Sequence, residues 1–168
     1  MNDTTSPANG TNGANGSNGT NGSEGDNRAF MLQQLYVKDL SFEAPNSPQV
    51  FSQTGVEPET ELNIRNGHQA LDNDLYEVVL HIRVHAKKDD STIFLTEIDQ
   101  AGVFLISGYT QEQTAVLLGT QCPTTLFPYA REAISTLVGK GGFPPLILQP
   151  INFENLFARA REQQAQQA

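Results

Sequence analysis

The chain has 168 residues, of which 38% are hydrophobic, and it carries one cysteine and a formal net charge of -9 at pH 7; this length fits one domain around one hydrophobic core. The acidic balance argues against nucleic-acid and anionic-membrane partners, which are bound through clustered Lys and Arg, and a lone cysteine argues against a disulfide or a zinc site. Because the sequence has no secretory signal and no apolar stretch of the roughly 20 residues that span a bilayer, we predict a cytoplasmic protein that needs no metal or cofactor and does not insert into a membrane.

Residues 1–27 are built largely of Asn, Gly, Ser and Thr and contain no large apolar residue after Met1. Such a segment cannot bury enough surface to offset the entropy lost on ordering, so we predict a flexible tail. The alternative is a specific adhesive or targeting arm. A folded domain is predicted at 28–160, followed by a frayed C-terminal tail at 161–168.

The first part of the predicted domain has the pattern of β-strands. Residues 30–45 predict a first strand that prolines end, and residues 46–58 predict an irregular crossover loop. Residues 59–65 alternate between polar and apolar side chains, which predicts a second strand. Asn66-Gly67 follows as a turn signal.

The clearest alternation lies in residues 75–86, where one face is apolar and the other includes His81, Arg83 and His85. The two histidines are interpreted as solvated side chains. A charged turn leads to a fourth strand over 92–107, with a predicted bulge or bend at Gly102. Consecutive strands joined by short turns predict an antiparallel sheet.

Helical patterns follow the strands. Thr110 and Gln113 have the spacing of a capping box for a short helix. A longer helix is predicted over 125–138, with Pro128 in its first turn, and Asn152 predicts the cap of a last helix. Strands first and helices last predict an α+β domain with the helices on one face of the sheet.

Several segments taken together resemble the SecB family of protein-export chaperones. They are VKDLSFEAPNSPQVF (37–51), LYEVVLHIRVHA (75–86), GVFLISG (102–108), CPTTLFPYAREAISTLV (122–138) and GGFPPLILQPINFENLF (141–157). The resemblance implies a four-stranded antiparallel sheet with two main helices packed on one face, assembled as a dimer of dimers. It also implies a non-enzymatic holdase that binds unfolded preproteins and docks onto SecA, the export ATPase.

The resemblance implies a SecA-docking patch on the sheet. The acidic Asp39, Glu43 and Glu97 and the apolar Leu95 match residues that SecB-like proteins use for this contact. Within each strand the spacing of two or four residues places them on one face. A negatively charged face would attract a basic partner. The alternative is a solvated sheet face.

Client binding requires apolar surface that is left exposed, which monomeric proteins normally avoid. The candidates lie on or beside the proline-containing loop and the Gly-rich connector, and ordinary core packing is the alternative for each of them. They are Phe42, Val50, Phe51, Val56, Leu62, Ile64, Phe94 and Phe143.

An oligomer interface is expected on one face of the fourth strand and on the long helix, with burial within the subunit as the alternative. Its candidates are Thr96, Ile98, Gln100, Leu126, Tyr129 and Ala133.

The favoured function is an export holdase that acts without bond chemistry, because no acid/base pair has credible spacing. Cys122 is interpreted as a structural residue rather than a nucleophile. A chaperone of the same fold dedicated to a toxin–antitoxin system is the first alternative. A small-molecule enzyme on an α+β scaffold is the second.

Overall fold

The computed structural model describes residues 27–52 and 58–167, so the predicted N-terminal tail lies outside the described residues except for its last position. A 3-10 helix over Gln49–Ser52 separates the first two strands. The strands are β1 (Ala29–Glu43), β2 (Glu59–Ala70), β3 (Leu75–Lys88) and β4 (Ser91–Ser107), and the helices are α1 (Gln111–Gly119), α2 (Gln121–Lys140) and α3 (Phe153–Gln167).

The four strands form one antiparallel sheet in the order β1-β4-β3-β2. The chain therefore passes from one edge of the sheet to the other between β1 and β2. The proline-containing loop after β1 makes this crossover, and the structure describes it up to Ser52 and again from Pro58. The arrangement confirms the predicted four-stranded antiparallel sheet of an α+β domain.

Helix α2 packs across β3 and β4 and covers one face of the sheet. Every second residue of the central strands is buried there, including Leu80, Ile82 and Ile98, and α2 buries Leu126 and Ile134 against them. Burying each such side chain stabilises the fold by about 1.5–3 kcal/mol. The residues that alternate with this buried set lie on the opposite face and are mostly half-buried or exposed. We call that opposite side the open face.

The predicted turn at Asn66-Gly67 is wrong, because both residues lie inside β2. Asn66 uses its side chain to tie the strand to the helices, since its Nδ2 donates to the carbonyl oxygen of Leu118 at 2.9 Å. The chain turns instead at Asn73 and Asp74, whose φ angles are 60° and 58°. Asn and Asp tolerate this left-handed conformation better than most residues.

The predicted interruption at Gly102 is also wrong, because β4 continues through it from Ser91 to Ser107. The glycine serves close packing instead. A Cβ atom at this position would lie 2.9 Å from side-chain carbons of both Leu126 and Leu32. The register shifts fall in β1, between Leu32 and Gln34 and again between Val37 and Asp39.

Helix α2 begins four residues earlier than the sequence pattern predicts, and Pro128 therefore lies in its interior. A proline there cannot donate to the carbonyl oxygen four residues before it. That carbonyl belongs to Thr124, which is exposed, so water can hydrogen-bond to it. Pro123 takes the first-turn position that proline favours.

The predicted helix starts of α1 and α3 are confirmed. Thr110 and Gln113 form the complete capping box of α1. The Oδ1 of Asn152 accepts the backbone N–H of Asn155 at 2.8 Å at the start of α3. Helix α3 continues to Gln167, through the segment for which the sequence predicts fraying. In the described part of the chain, none of the helices has the length and apolar character needed to cross a membrane.

Candidate functional site

Phenylalanines from four separate segments meet at one end of the sheet. Phe42 comes from the end of β1, Phe51 from the 3-10 helix, Phe94 from the start of β4, and Phe143 from the connector after α2. The ring centroid of Phe143 lies 6.3 Å from that of Phe42 and 5.2 Å from those of Phe51 and Phe94. These are distances at which aromatic rings attract one another. The cluster therefore holds the crossover loop and the connector against the sheet.

Two glycines let the connector approach this cluster. A side chain at Gly141 would collide with the ring of Phe42. Gly142 has a φ of 88°, a conformation that side chains disfavour. The Gly-Gly pair is thus required for Phe143 to reach the other rings.

The aromatic cluster borders a cavity of about 410 Å³, whose lining is largely apolar. Val50 and Phe94 are buried, whereas Phe51 remains 50% exposed at the cavity wall. The volume falls within the range of about 300–1,000 Å³ that is usual for ligand sites. We call this site the aromatic cavity. It leaves apolar surface uncovered at Phe51.

The aromatic cavity brings together Val50, Phe51, Phe94 and Phe143 of the predicted client-binding residues. Phe42 packs against Phe94, with 5.9 Å between the ring centroids, and does not line the space itself. Val56 lies outside the described residues.

Leu62 and Ile64 lie along β2, on the helix-covered face, because they pair with the buried Val84 and Ile82. Leu62 is exposed and Ile64 packs partly against the core. Thr60 precedes them on the same face and lines the aromatic cavity. Two apolar side chains, Leu62 and Ile64, therefore follow the cavity along this otherwise polar edge strand.

Sequence reasoning missed several residues of the cavity wall, namely Pro58, Ile93, Pro144, Pro145 and Leu146. Strict alternation would place Ile93 and Phe94 on opposite faces of β4. A register shift between Ala86 and Lys87 on the neighbouring strand interrupts that alternation, and both residues reach the cavity. Pro144 and Pro145 directly follow the Gly-rich connector segment in the sequence, but no local pattern indicates that they form a wall.

The open face gathers all four residues predicted to dock SecA. Leu95 lies directly across from Glu43, Glu97 from Ser41, and Asp99 from Asp39. Residues opposite one another in a sheet point to the same side, so Asp39, Glu43, Leu95 and Glu97 share this face. Within the described residues, neither Asp39 nor Glu43 forms an ion pair.

Strand β3 adds a row of basic side chains to the same face, which is therefore not uniformly negative. Arg83 faces Glu97, with 3.1 Å between Nε and Oε1, and His81 faces Asp99, with 2.5 Å between Nδ1 and Oδ1. The Nε2 of His85 lies 2.9 Å from the Oγ1 of Thr92. The interpretation of His81 and His85 as merely solvated is wrong, because cross-strand partners hold both rings.

A buried carboxylate ties the strands together elsewhere on the open face. Glu77 on β3 accepts hydrogen bonds from the hydroxyl of Tyr36, from the Nζ of Lys38 at 2.9 Å and from the Nε2 of Gln69 at 2.6 Å. The hydrogen bond from Tyr36, followed by that from Lys38, lowers the pKa of Glu77 below its ordinary value. Burial, reinforced by Glu77, raises the pKa of Tyr36 to about 12.

Four of the six residues expected at an oligomer interface are buried within the single chain, which corrects that prediction. They are Thr96, Ile98, Gln100 and Leu126. Leu126 belongs to α2, and the other three lie on the face of β4 that α2 covers. Strand β1 satisfies the two polar side chains: Thr96 donates to the carbonyl oxygen of Ser41 and Gln100 to that of Tyr36, each at 2.9 Å.

The exposed large apolar side chains lie elsewhere. Tyr129, one of the six expected interface residues, is exposed on α2, and Ala133 is half-buried beside it. Ile147 of the connector is also exposed, and it borders α2 together with Glu132 and Ser135. The edge strand β1 exposes a second group, consisting of Phe30, Met31, Val37 and Leu40.

Nucleophilic and metal chemistry find little support in the described residues. Cys122 is fully buried, and burial raises the pKa of its thiol to about 12. A thiol in this state is unreactive, because the thiolate is the nucleophile. Across ranges 27–52 and 58–167, no cluster of His, Cys, Asp and Glu could hold a metal ion.

Comparison with known families and proteins identifies the chain. Residues 23–165 match the family described as preprotein translocase subunit SecB. The chain belongs to the SecB family. It is thus a protein-export chaperone of the SecB type, and this function fits it better than the toxin–antitoxin alternative.

Curated SecB relatives match most of the chain. The protein-export protein SecB of Nitrosococcus oceani is 50% identical over 135 residues, which cover 80% of this chain and 82% of the relative. That of Methylococcus capsulatus is 50% identical over 141 residues, covering 84% and 90%.

A solved SecB-like chaperone of Mycobacterium tuberculosis, in complex with a peptide from an antitoxin, superimposes with a TM-score of 0.62. The match covers 73% of this chain and 90% of that one, at 16% sequence identity. It shows that the two share the SecB-like fold.

Proposed function

We propose that this SecB-family chain is a cytoplasmic holdase. It binds unfolded precursor proteins without nucleotide, keeps them competent for translocation and delivers them to the SecA ATPase. The observation that carries the proposal is the aromatic cavity, where Phe51 stays half exposed beside a largely apolar space. Apolar surface of this kind suits a partner whose own apolar side chains are not yet buried.

The aromatic cavity and β2 together suit an extended client segment. The cavity accommodates a large apolar side chain, and Leu62 continues the apolar surface along the strand. The outer edge of β2 pairs with no other strand in the described residues, so its backbone N–H and C=O groups can bond to an added segment. Main-chain bonds carry no sequence preference, which fits a chaperone with many clients.

The open face supports docking of SecA. The carboxylates of Asp39, Glu43 and Glu97 form its acidic half, and Leu95 supplies an apolar contact among them. A basic region on SecA would be attracted to this half, since complementary charges speed encounter and fix register. The docking surface and the aromatic cavity consist of different residues, so client and SecA can be bound together.

Two separate apolar surfaces support assembly as a dimer of dimers. One is the edge of β1, with Val37 and Leu40, and the other is the outer side of α2, with Tyr129 on the helix and Ile147 on the connector that borders it. Both are too apolar to remain solvated without cost. Two self-complementary contacts on one subunit generate a closed homotetramer.

The holdase function is tested by mixing the pure protein with an unfolded precursor in the absence of nucleotide and measuring the mass of the complex by light scattering. Phe51→Ala removes the exposed ring and is expected to raise the client dissociation constant about fivefold. Leu71→Ala is the matched control, because Leu71 is similarly exposed but lies at the opposite end of β2.

The control is expected to bind the client as the unaltered protein does. An unaltered protein that takes up no unfolded chain would contradict the holdase function. Equal loss in both variants would show that general surface hydrophobicity, rather than the aromatic cavity, holds the client.

A further inference from the structure

One carboxylate of the proposed docking surface is already engaged within the chain. Glu97 faces Arg83 across the β3–β4 pair, and the Arg83 Nε lies 3.1 Å from the Glu97 Oε1. The side chains are 48% and 32% exposed, so this ion pair lies at the surface where a partner would arrive. The Nδ1 of His81 lies 2.5 Å from the Oδ1 of the next carboxylate, Asp99.

The acids on β1 differ from those on β4. Asp39 and Glu43 are exposed, and neither is ion-paired within the described part of the chain. A basic segment that reaches the open face thus meets free carboxylates along β1 and an occupied one at Glu97. To use Glu97, a partner's lysine or arginine must share the carboxylate with Arg83 or displace it. Two cations on one carboxylate repel each other at short range.

We infer that Arg83 is an internal competitor that limits the affinity of the open face for a basic partner. The inference rests on the proposed docking of SecA and names the residue that regulates it. Removing Arg83 frees Glu97 and deletes a like charge from the path of the incoming cation. Since exposed ion pairs are weak, the gain in affinity is about two- to fivefold.

Arg65 provides a charge-matched control. It lies on the same face, on the neighbouring strand, directly across from His81. It is exposed, and no carboxylate in the described residues pairs with it. Arg65→Gln and Arg83→Gln change the net charge equally, but only the second releases a carboxylate of the docking surface.

The experiment titrates purified SecA into the full-length chain by calorimetry at low ionic strength. Arg83→Gln is expected to tighten binding about two- to fivefold, and Arg65→Gln to have a distinctly smaller effect. High salt is expected to reduce the difference in SecA affinity between the two variants, because it screens exposed charges. The Arg83→Gln gain is expected to vanish in the Glu97→Gln background, where no carboxylate remains to be freed. Client uptake should remain unchanged in Arg83→Gln.

Asp39→Ala separates failure of this inference from failure of the proposed docking. If Asp39→Ala weakens SecA binding while Arg83→Gln leaves it unchanged, docking stands and the role of Arg83 is overturned. Equal tightening by Arg65→Gln and Arg83→Gln also overturns it, since bulk charge would then explain the effect. A chain that binds SecA equally well with and without Asp39 contradicts docking on the open face itself.

Discussion

Glu77 is the only buried charged residue within the described parts of the chain, with 7% of its surface exposed. A buried charge is tolerated only when it is paired and hydrogen-bonded. Tyr36, Lys38 and Gln69 supply these bonds from both edge strands of the sheet. The cluster therefore links β1 and β2 through a residue of β3.

Replacing Glu77 with alanine is expected to lower the free energy of unfolding by about 1–3 kcal/mol, because the hydroxyl of Tyr36 and the amide of Gln69 lose their partner. Urea unfolding near neutral pH measures the change. Glu43→Ala is the control, since this exposed carboxylate is unpaired in the described residues, and it should alter stability by less than about 0.5 kcal/mol. Equal effects in the two variants would contradict a stabilising role for the cluster.

The stabilisation from Glu77 also depends on pH. Its pKa in the folded chain lies below the ordinary value of 4.5. The stabilisation is therefore complete above that ordinary value and is lost as the pH falls through the lowered pKa. The stability difference between the unaltered chain and Glu77→Ala should accordingly shrink in acid.

At the level of single residues, the sequence identifies candidates for the site but does not predict their exposure or their partners. The phenylalanines of the aromatic cavity were identifiable as candidates, but their exposure was not. Phe94 is buried and Phe51 is 50% exposed although both rings lie 5.2 Å from Phe143, so a contact with the connector does not by itself determine exposure. The pairing of Arg83 with Glu97 depends on strand register, and the sequence places each residue on a face without fixing its partner across the sheet.

The elements that the sequence predicts best are those with strong local signals. Strand β3 follows from period-2 alternation, and the starts of α1 and α3 follow from capping residues. The errors at Asn66-Gly67, Gly102 and Pro128 have one cause: each residue type commonly breaks an element when considered alone. In the fold, contacts between distant elements determine whether a strand or helix continues through such a residue. The packing of Leu126 and Leu32 beside Gly102 is one example.

Substitution of Gly119, the last residue of α1, tests whether packing against this residue anchors α3. A Cβ atom there would collide with the ring of Phe157 on α3. Alanine favours a helix over glycine by about 1 kcal/mol, yet Gly119→Ala is expected to destabilise the chain by about 1–3 kcal/mol through overpacking. Hydrogen exchange should show the largest loss of amide protection in α3.

Gly67→Ala is the control for this substitution, because no atom outside its chain neighbours lies within 4 Å of a Cβ built at that position. It should leave the protection of α3 unchanged. Gain of stability in Gly119→Ala, as helix propensity alone predicts, would show that α3 is not held by this contact.

The two edges of the sheet differ in character. Strand β2 is exposed and largely polar, whereas β1 presents Val37 and Leu40 among its exposed apolar residues. An apolar edge strand favours pairing with another chain unless it is covered. A second copy of this chain would cover it and satisfy its free backbone groups.

If β1 contributes to the proposed dimer of dimers, Val37→Asp should raise the dissociation constant of that assembly about 100-fold, because a carboxylate would be buried against apolar surface. Light scattering over a dilution series measures the mass. Leu71→Asp adds the same charge at an exposed leucine outside β1 and should leave the mass unchanged. Identical masses for Val37→Asp and the unaltered chain would show that β1 does not form part of the subunit interface.

The aromatic cavity draws its walls from segments that are far apart along the chain: the crossover loop, the start of β4 and the connector after α2. Contacts between such distant segments form late, and a polypeptide on the ribosome emerges from its N-terminus. Phe143 leaves the ribosome after all four strands have been made. A nascent chain that ends before Phe143 therefore lacks a complete aromatic cavity. It should bind apolar segments of other proteins there only once its own synthesis is nearly complete.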